Sequence, residues 1–217
     1  MPTISDLEGP AGRLEAMLDL PTEPGAGIKA AAIFAHPHPQ LGGTMQTRVV
    51  YQGAKGLARI GCAVLRFNFR GVGASRGRFD QGNGEREDFR AAVDYMAARY
   101  PDTGLWAAGF SFGSWVALEV GAADDRIGVL IGIAPPVATS FSGLEYSFPH
   151  TLATHKPKFL VQGEADEVCP LEALWQFYGR LHEPKELVVI DGADHLFEGK
   201  ATEVGEALED LLGDFGQ

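Results

Sequence analysis

The sequence predicts an α/β protein, a three-layer α/β/α sandwich in which a mostly parallel central sheet lies between two layers of helices. Two observations predict this class. Short, almost continuously apolar runs recur along the 217 residues, as expected for strands buried on both faces of a parallel sheet. Runs with apolar residues at helical spacing separate them, so strands and helices alternate along the chain.

The first strand is expected near one edge of the sheet. Residues 13–20 alternate, with leucine and alanine on one face and Arg13, Glu15, Met17 and Asp19 on the other, which is the pattern of a half-exposed strand. The later strands lack this alternation. They are predicted at residues 30–35, 62–69, 105–110, 127–134, 159–162 and 187–190.

Four apolar stripes predict helices. The first runs from Met45 to Ile60 and stops at Gly61. The second spans residues 89–100 and directly follows acidic residues, which are favourable at the N-terminus of a helix. The third and fourth span residues 171–181 and 197–211.

One long stretch, residues 135–157, has no clear element and carries Phe141, Leu144, Tyr146 and Phe148. It follows a strand that should end near the predicted active site. We expect it to line or partly cover the pocket, and it is too short to form a separate lid domain.

Composition bounds the class of protein. A chain with 45% hydrophobic residues and 217 residues in all is expected to form a single domain over residues 1–217. Its net charge of −11 disfavours nucleic-acid and anionic-membrane partners, because both present phosphates. Cys62 and Cys169 give no support for a disulfide framework. Without a signal-peptide pattern or an apolar run of membrane-spanning length, a soluble cytoplasmic protein is expected.

The motif Gly109-Phe110-Ser111-Phe112-Gly113 matches G-x-S-x-G between a predicted strand and a helix-compatible run. In this context the serine occupies a sharp turn that exposes its hydroxyl, and the glycines two residues away leave room for that turn. The N–H of Phe112 then lies at a helix N-terminus, where partial positive charge favours an anion. The motif therefore predicts a nucleophile, Ser111, and one oxyanion donor, Phe112.

A serine nucleophile needs a base and a group that orients the base. Residues 163–170 follow one predicted strand and carry Glu164, Asp166 and Glu167, and residues 191–197 follow the last strand and carry Asp191, Asp194 and His195. Serine, acid and histidine in this order, each just past a strand, is the chain order of α/β-hydrolases.

Further motifs extend this resemblance over nearly the whole chain. They are Ala35-His36-Pro37-His38-Pro39, Gly42-Gly43-Thr44-Met45, Phe67-Asn68-Phe69-Arg70-Gly71-Val72-Gly73-Ala74-Ser75, Gly163-Glu164-Ala165-Asp166 and Ala193-Asp194-His195. On these residues the chain resembles the α/β-hydrolase superfamily, and within it the small lidless hydrolases close to dienelactone hydrolases and to the catalytic domains of prolyl-oligopeptidase-like enzymes.

The resemblance implies that Ser111 is the nucleophile, His195 the general base and acid, and Asp166 the carboxylate that orients it. Dienelactone hydrolases proper carry cysteine at this position, so the serine favours an ester or thioester substrate. Asp194 is disfavoured as the orienting acid, because neighbouring side chains on a loop seldom face each other.

The second oxyanion donor is expected in the loop after residues 30–35. The resemblance implies that it is the N–H of His38, because His36-Pro37 stands where many members of the family carry His-Gly and use the next N–H. Two flanking prolines would fix the backbone direction of His38, and Gln40 is the alternative. The His-Pro repeat could instead only stiffen a turn. Phe112, Leu41 and Met45 are expected pocket walls, although each could also belong to the core.

Two patterns suggest other functions and are set aside. The His36-x-His38 pair lacks further ligands at metal-site spacing, so no metal is predicted. The glycines of residues 71–77 do not fit the dinucleotide motif. The resemblance makes that loop structural, with Arg70 in an ion pair.

The sequence therefore predicts a serine hydrolase that acts on small or short-acyl carboxylic esters, with a small-molecule ester as its partner and no cofactor. Thioesterase and small-peptide hydrolase activities are the alternatives among enzymes, and a non-catalytic binding protein of the same fold is the alternative from another class. The sequence is compatible with a homodimer.

Overall fold

A computed structural model describes residues 3–21, 27–138 and 144–215 of the chain. Within these residues the strands are β1 (Thr3–Ile4), β2 (Glu8–Gly9), β3 (Gly12–Arg13), β4 (Ala16–Asp19), β5 (Ala30–Ala35), β6 (Cys62–Phe67), β7 (Leu105–Phe110), β8 (Ile127–Ile133), β9 (Lys158–Gly163) and β10 (Lys185–Ile190). The helices are α1 (Arg48–Arg59), α2 (Asn83–Arg99), α3 (Phe112–Ala123), α4 (Pro149–Ala153), α5 (Leu171–Tyr178) and α6 (Ala201–Leu212). A 3₁₀ turn spans Pro39–Leu41.

Eight of these strands form one twisted sheet in the order β1-β4-β6-β5-β7-β8-β9-β10. The strands from β6 to β10 in this order are parallel, while β1 and β4 pair antiparallel at one edge. Apolar residues of α1 and α6 pack on one face of the sheet, and those of α2, α3 and α5 pack on the other. The predicted α/β/α sandwich is confirmed, and every predicted strand and helix corresponds to an observed one.

Two elements differ from the prediction, one in its first residue and one in its burial. The sequence predicts that the last helix begins at Phe197. The helix α6 begins only at Ala201, because Phe197 and Gly199 have φ angles of 52° and 74°, which are not helical. The strand β10 was predicted to be buried on both faces. It is the last strand of the sheet, and Leu187 and Val188 are only partly buried.

The polar face predicted for the first strand is wrong at Asp19. This residue is buried, and its Oδ2 accepts a hydrogen bond of 2.6 Å from Nε of Arg66, which is also buried on the neighbouring strand β6. The ion pair explains why a carboxylate tolerates this position, because a buried charge requires a partner.

The loop after β6 is structural, as the resemblance implied. Arg70 contacts Asp88 of α2 in a bidentate ion pair, with Nη2–Oδ1 and Nε–Oδ2 distances of 2.7 and 2.9 Å. The stretch predicted to lack elements contains the short helix α4, and Phe141 of that stretch lies outside the described residues. Among the described helices, none is long and apolar enough to cross a membrane.

Candidate active site

The elbow, residues 109–113, connects β7 directly to α3 at the carboxyl edge of the sheet. Ser111 has φ and ψ angles of 53° and −123°, a region that non-glycine residues rarely occupy. A Cβ on Gly109 would overlap the carbonyl of Gly113, and a Cβ on Gly113 would overlap the carbonyl oxygens of Ala35 and His36. The close approach of these backbones therefore requires both glycines, and it holds the serine in its strained turn.

Three predicted residues form one hydrogen-bonded chain. Ser111 Oγ lies 3.0 Å from Nε2 of His195, and Nδ1 of His195 lies 2.9 Å from Oδ2 of Asp166. Because a carboxylate only accepts hydrogen bonds, the Nδ1 atom carries the proton in the neutral ring, and Nε2 is left to accept the serine hydroxyl proton. This is the arrangement in which imidazole can act as a base toward the serine.

Asp166 is buried and its carboxylate is held from several sides. Oδ1 accepts hydrogen bonds from the N–H groups of Val168 and Cys169, at 2.9 and 2.7 Å. Oδ2, which faces His195, also accepts one from Nε2 of Gln162 at 3.0 Å. These contacts fix the oxygen that orients the histidine.

Two of the rival acids have other contacts. Glu164 accepts a hydrogen bond from the N–H of Gly192, and Asp194 accepts one from the N–H of Glu198. Both bonds stabilise the loops that carry the site. Neither carboxylate is paired with His195, so the structure brings only Asp166 of the predicted acids to the histidine within the described residues.

The two predicted oxyanion donors lie in different segments. Phe112 is the first residue of α3, so its N–H has no acceptor within the helix. His38 precedes the 3₁₀ turn, and its Nδ1 accepts a hydrogen bond of 3.2 Å from the N–H of Gln40. That contact engages the N–H of Gln40, the alternative donor, with the His38 ring.

A pocket of about 140 Å³ opens above Ser111. It is lined by Pro37, His38, Leu41, Gly43, Ser111, Phe112, Pro136, Tyr146, Val168, His195 and Leu196. Leu41 and Leu196 lie at its rim, 59% and 63% exposed. The lining is largely apolar, and among the described residues its polar side chains are those of Ser111, His38, His195 and Tyr146.

Met45 does not line this pocket, contrary to the prediction. Its side chain is buried, its N–H donates to Oδ1 of Asn68 at 2.8 Å, and its C=O accepts from Nη1 of Arg66 at 2.7 Å. These contacts hold the residue behind the loop of residues 36–43 rather than at the substrate side.

Sequence reasoning did not single out five of the pocket residues, and two of these, Pro37 and Gly43, belong to motifs that it used for the resemblance. Val168 and Leu196 could have been found, because they lie within two residues of Asp166 and His195 in the sequence. Pro136 belongs, like Tyr146, to the stretch that was expected to line the pocket, but no pattern singled it out. Burial raises the pKa of the Tyr146 hydroxyl to about 12, so this wall stays uncharged.

The His36-x-His38 pair is not arranged to bind a metal. His36 is fully buried, and both of its ring nitrogens have hydrogen-bond partners in the protein.

A second set of potential ligand atoms, from Asp166, Cys169 and His195, lies within 4.8 Å of one another. Burial raises the pKa of the Cys169 thiol, and the other two residues are already bound in the chain that leads to Ser111. We interpret this group as part of the hydrogen-bonded site, because a metal would require the thiolate and would displace the histidine.

Comparison with known proteins places these features in context. A family model described as an alpha/beta hydrolase domain matches residues 28–214. The structure is similar to an alpha-beta serine hydrolase homologue from Coxiella burnetii, with 38% identity, a TM-score of 0.87 and coverage of 97% of both chains. It is also similar to a serine hydrolase without a lid from Xanthomonas campestris, with 36% identity, a TM-score of 0.84 and coverage of 96% of this chain and 92% of that one.

A curated relative shows the same extent of similarity at the sequence level. A protein of Rickettsia prowazekii (strain Madrid E) is 37% identical over 210 residues, which is 94% of this chain and 86% of that protein. The family model, which matches residues 28–214, covers every segment that contributes to the site.

Proposed function

This chain belongs to the alpha/beta hydrolase family, and we propose that it is a serine hydrolase that cleaves small or short-acyl carboxylic esters through an acyl-enzyme. The observation that carries the proposal is the continuous hydrogen-bonded chain from Ser111 through His195 to Asp166 at the floor of an apolar pocket. A pocket that only binds a ligand has no need of a base and an orienting acid in register with a serine.

In the proposed reaction, His195 Nε2 accepts the proton of the Ser111 hydroxyl as Oγ attacks the ester carbonyl. The oxyanion that forms is stabilised by the N–H groups of Phe112 and His38. The protonated His195, stabilised by Asp166, then donates its proton to the leaving alcohol, and an acyl group remains on Ser111. A water molecule, deprotonated by His195, then attacks the acyl-enzyme in the same way and releases the carboxylic acid and free Ser111. No cofactor is needed for these steps.

The size and chemistry of the pocket support small substrates. Its volume of about 140 Å³ is below the 300–1,000 Å³ typical of pockets for drug-sized ligands. The apolar lining suits an acyl group or an apolar alcohol rather than a charged one. We therefore expect short-chain esters to be better substrates than long-chain lipids.

The test is hydrolysis of p-nitrophenyl esters of increasing acyl length by the wild type, Ser111→Ala and Ser5→Ala. Ser5 is exposed and far from the site in sequence, so its variant is the matched control for the loss of a serine hydroxyl. We expect turnover that peaks at short acyl chains, is kept by Ser5→Ala, and falls by a factor on the order of 10⁶ in Ser111→Ala.

Two outcomes would contradict the proposal. Near-normal turnover in Ser111→Ala would remove the serine from the mechanism, and a maximum at long acyl chains would remove the short-acyl preference. Thioesters and short peptide amides assayed with the same three proteins distinguish the other acyl-transfer activities.

A further inference from the structure

His36, the first residue after β5, has a buried ring that forms two hydrogen bonds in the protein. Its Nε2 accepts the N–H of Phe69 at 3.0 Å, and its Nδ1 lies 2.7 Å from the carbonyl oxygen of Pro37. A carbonyl only accepts and a backbone N–H only donates, so the proton lies on Nδ1 and Nε2 is the acceptor. These two partners fix both the orientation and the tautomer of the ring.

The carbonyl that His36 holds belongs to the peptide bond between Pro37 and His38. This bond is trans, so its C=O and its N–H point in opposite directions within one plane. The hydrogen bond from Nδ1 pulls the oxygen of Pro37 toward the buried ring, and it therefore turns the N–H of His38 away from that ring.

His38 and Pro37 both line the pocket above Ser111. On the opposite side, the backbone carbonyls of Ala35 and His36 pack against Gly113 of the elbow so closely that no Cβ fits there. The start of the loop is thus held against the elbow by its backbone. The Pro37 carbonyl is held from two directions, by the hydrogen bond from the His36 ring and by the close approach of Gly43, where an added Cβ would overlap it.

We propose that His36 is a positioning residue of the oxyanion hole, whose Nδ1–H sets the direction of the His38 N–H through the shared Pro37–His38 peptide. This inference rests on the proposed function, because it concerns the second oxyanion donor of that reaction. The imidazole does not touch the substrate and takes part in no proton transfer.

Burial supports this role. It lowers the pKa of His36 to about 4, although the hydrogen bond to the Pro37 carbonyl acts in the opposite direction, and neighbouring His38 adds a smaller lowering. The ring is therefore neutral at neutral pH, and Nε2 is kept as an acceptor for Phe69.

Two substitutions separate the two hydrogen bonds of the ring. His36→Asn places an amide nitrogen near the position of Nδ1, where it can donate to the Pro37 carbonyl, but it is too short to reach Phe69. His36→Gln places an amide oxygen near the position of Nε2, where it can accept from Phe69, but it leaves the Pro37 carbonyl without its donor. The first variant keeps the hydrogen bond to the Pro37 carbonyl, and the second keeps the hydrogen bond from the N–H of Phe69.

We measure kcat and KM for a short-chain p-nitrophenyl ester, with active sites counted by fluorophosphonate titration so that misfolded protein does not enter kcat. We expect His36→Gln to lower kcat per site by about 10- to 100-fold with KM within about twofold of wild type, since removal of an oxyanion donor costs about 100- to 1,000-fold. His36→Asn should keep kcat within about fivefold of wild type. Thermal unfolding of both variants is measured alongside.

The positioning role is overturned if His36→Gln keeps wild-type kcat per site, or if kcat in the two variants follows their thermal stability instead of the bond that each retains. A folded His36→Asn that loses as much kcat per site as His36→Gln contradicts it as well. Ser111→Ala, run in parallel, separates this failure from that of the proposed function, because only the latter predicts turnover that survives loss of the serine.

Discussion

The elbow and the oxyanion loop, residues 36–43, would each supply one N–H to the same oxyanion, but they are held by different means. In the elbow, backbone packs on backbone, and Gly109 and Gly113 are required because no side chain fits. In the oxyanion loop, Gly43 also packs closely on the Pro37 carbonyl, and side chains add polar contacts, with the His36 ring on the Pro37 carbonyl and the His38 ring on the N–H of Gln40. The elbow is therefore fixed by steric exclusion, whereas the loop combines steric exclusion at Gly43 with polar contacts from two histidine rings.

This difference has two consequences. A steric constraint is insensitive to pH and fails completely when a methyl group is added. A buried, neutral imidazole is sensitive to acid, because protonation at Nε2 removes the acceptor for the N–H of Phe69, although Nδ1 still donates to the Pro37 carbonyl. The same contrast predicts which changes disturb folding and which disturb only activity.

The largest effect is expected from Gly113→Ala. The added Cβ would overlap the carbonyl oxygens of Ala35 and His36, so β5 and α3 would have to separate. We expect a loss of more than about 3 kcal/mol in the free energy of unfolding, measured by urea denaturation, together with loss of ester hydrolysis. Gly104→Ala is the matched control, since nothing lies within 4 Å of its Cβ position, and it should remain near wild-type stability. Equal stabilities of the two variants would refute steric exclusion in the elbow.

A smaller effect, specific to the oxyanion loop, is expected in acid. Burial lowers the pKa of His36 from 6.5 to about 4, so the unfolded chain binds this proton more readily than the folded one. Its contribution to stability is therefore intact above pH 6.5 and decreases as the pH falls to about 4, by roughly 3 kcal/mol in all.

Urea unfolding of the wild type and His36→Asn between pH 7 and pH 4 tests this. The asparagine does not titrate, so the stability of the variant should fall less steeply with acid, and the gap between the two proteins should narrow by that amount. Parallel curves would show that His36 is not the acid-sensitive group.

The smallest effect on stability is expected at the rim of the pocket. Leu41 is 59% exposed, so Leu41→Ala should change the free energy of unfolding by less than about 0.5 kcal/mol. Its side chain lines the pocket, so KM for short-chain esters should rise severalfold. Leu20→Ala, at another exposed leucine that does not line the pocket, should leave KM unchanged. An unchanged KM in Leu41→Ala would show that the substrate does not contact Leu41 in this pocket.

Patterns that are local in sequence predicted most of the fold. Continuous apolar runs located the strands, because a strand buried on both faces is apolar throughout. Apolar residues at helical spacing located the helices, because a helix buries one face. The serine, acid and histidine were also predictable, since each follows a strand at the same edge of the sheet. Their distances were not, because these depend on loops from three parts of the chain.

The errors involve contacts between distant residues. Asp19 was assigned to a polar face, and its partner Arg66 lies 47 residues away. Met45 was assigned to the pocket wall, but its backbone is held behind the loop by Asn68 and Arg66. The buried ring of His36 likewise has a distant partner, since its Nε2 accepts the N–H of Phe69, 33 residues later. Periodicity carries no information on such pairs, because each polar residue looks in isolation like a solvent-exposed one.

The central claim, that Ser111 is an activated nucleophile, is tested most directly by the mass of the intact protein after reaction with a fluorophosphonate. We expect one adduct per chain, mapped by peptide sequencing to Ser111 and lost in Ser111→Ala, because a serine with a base at 3.0 Å reacts readily. An unmodified wild type, or an adduct on another residue, would contradict it.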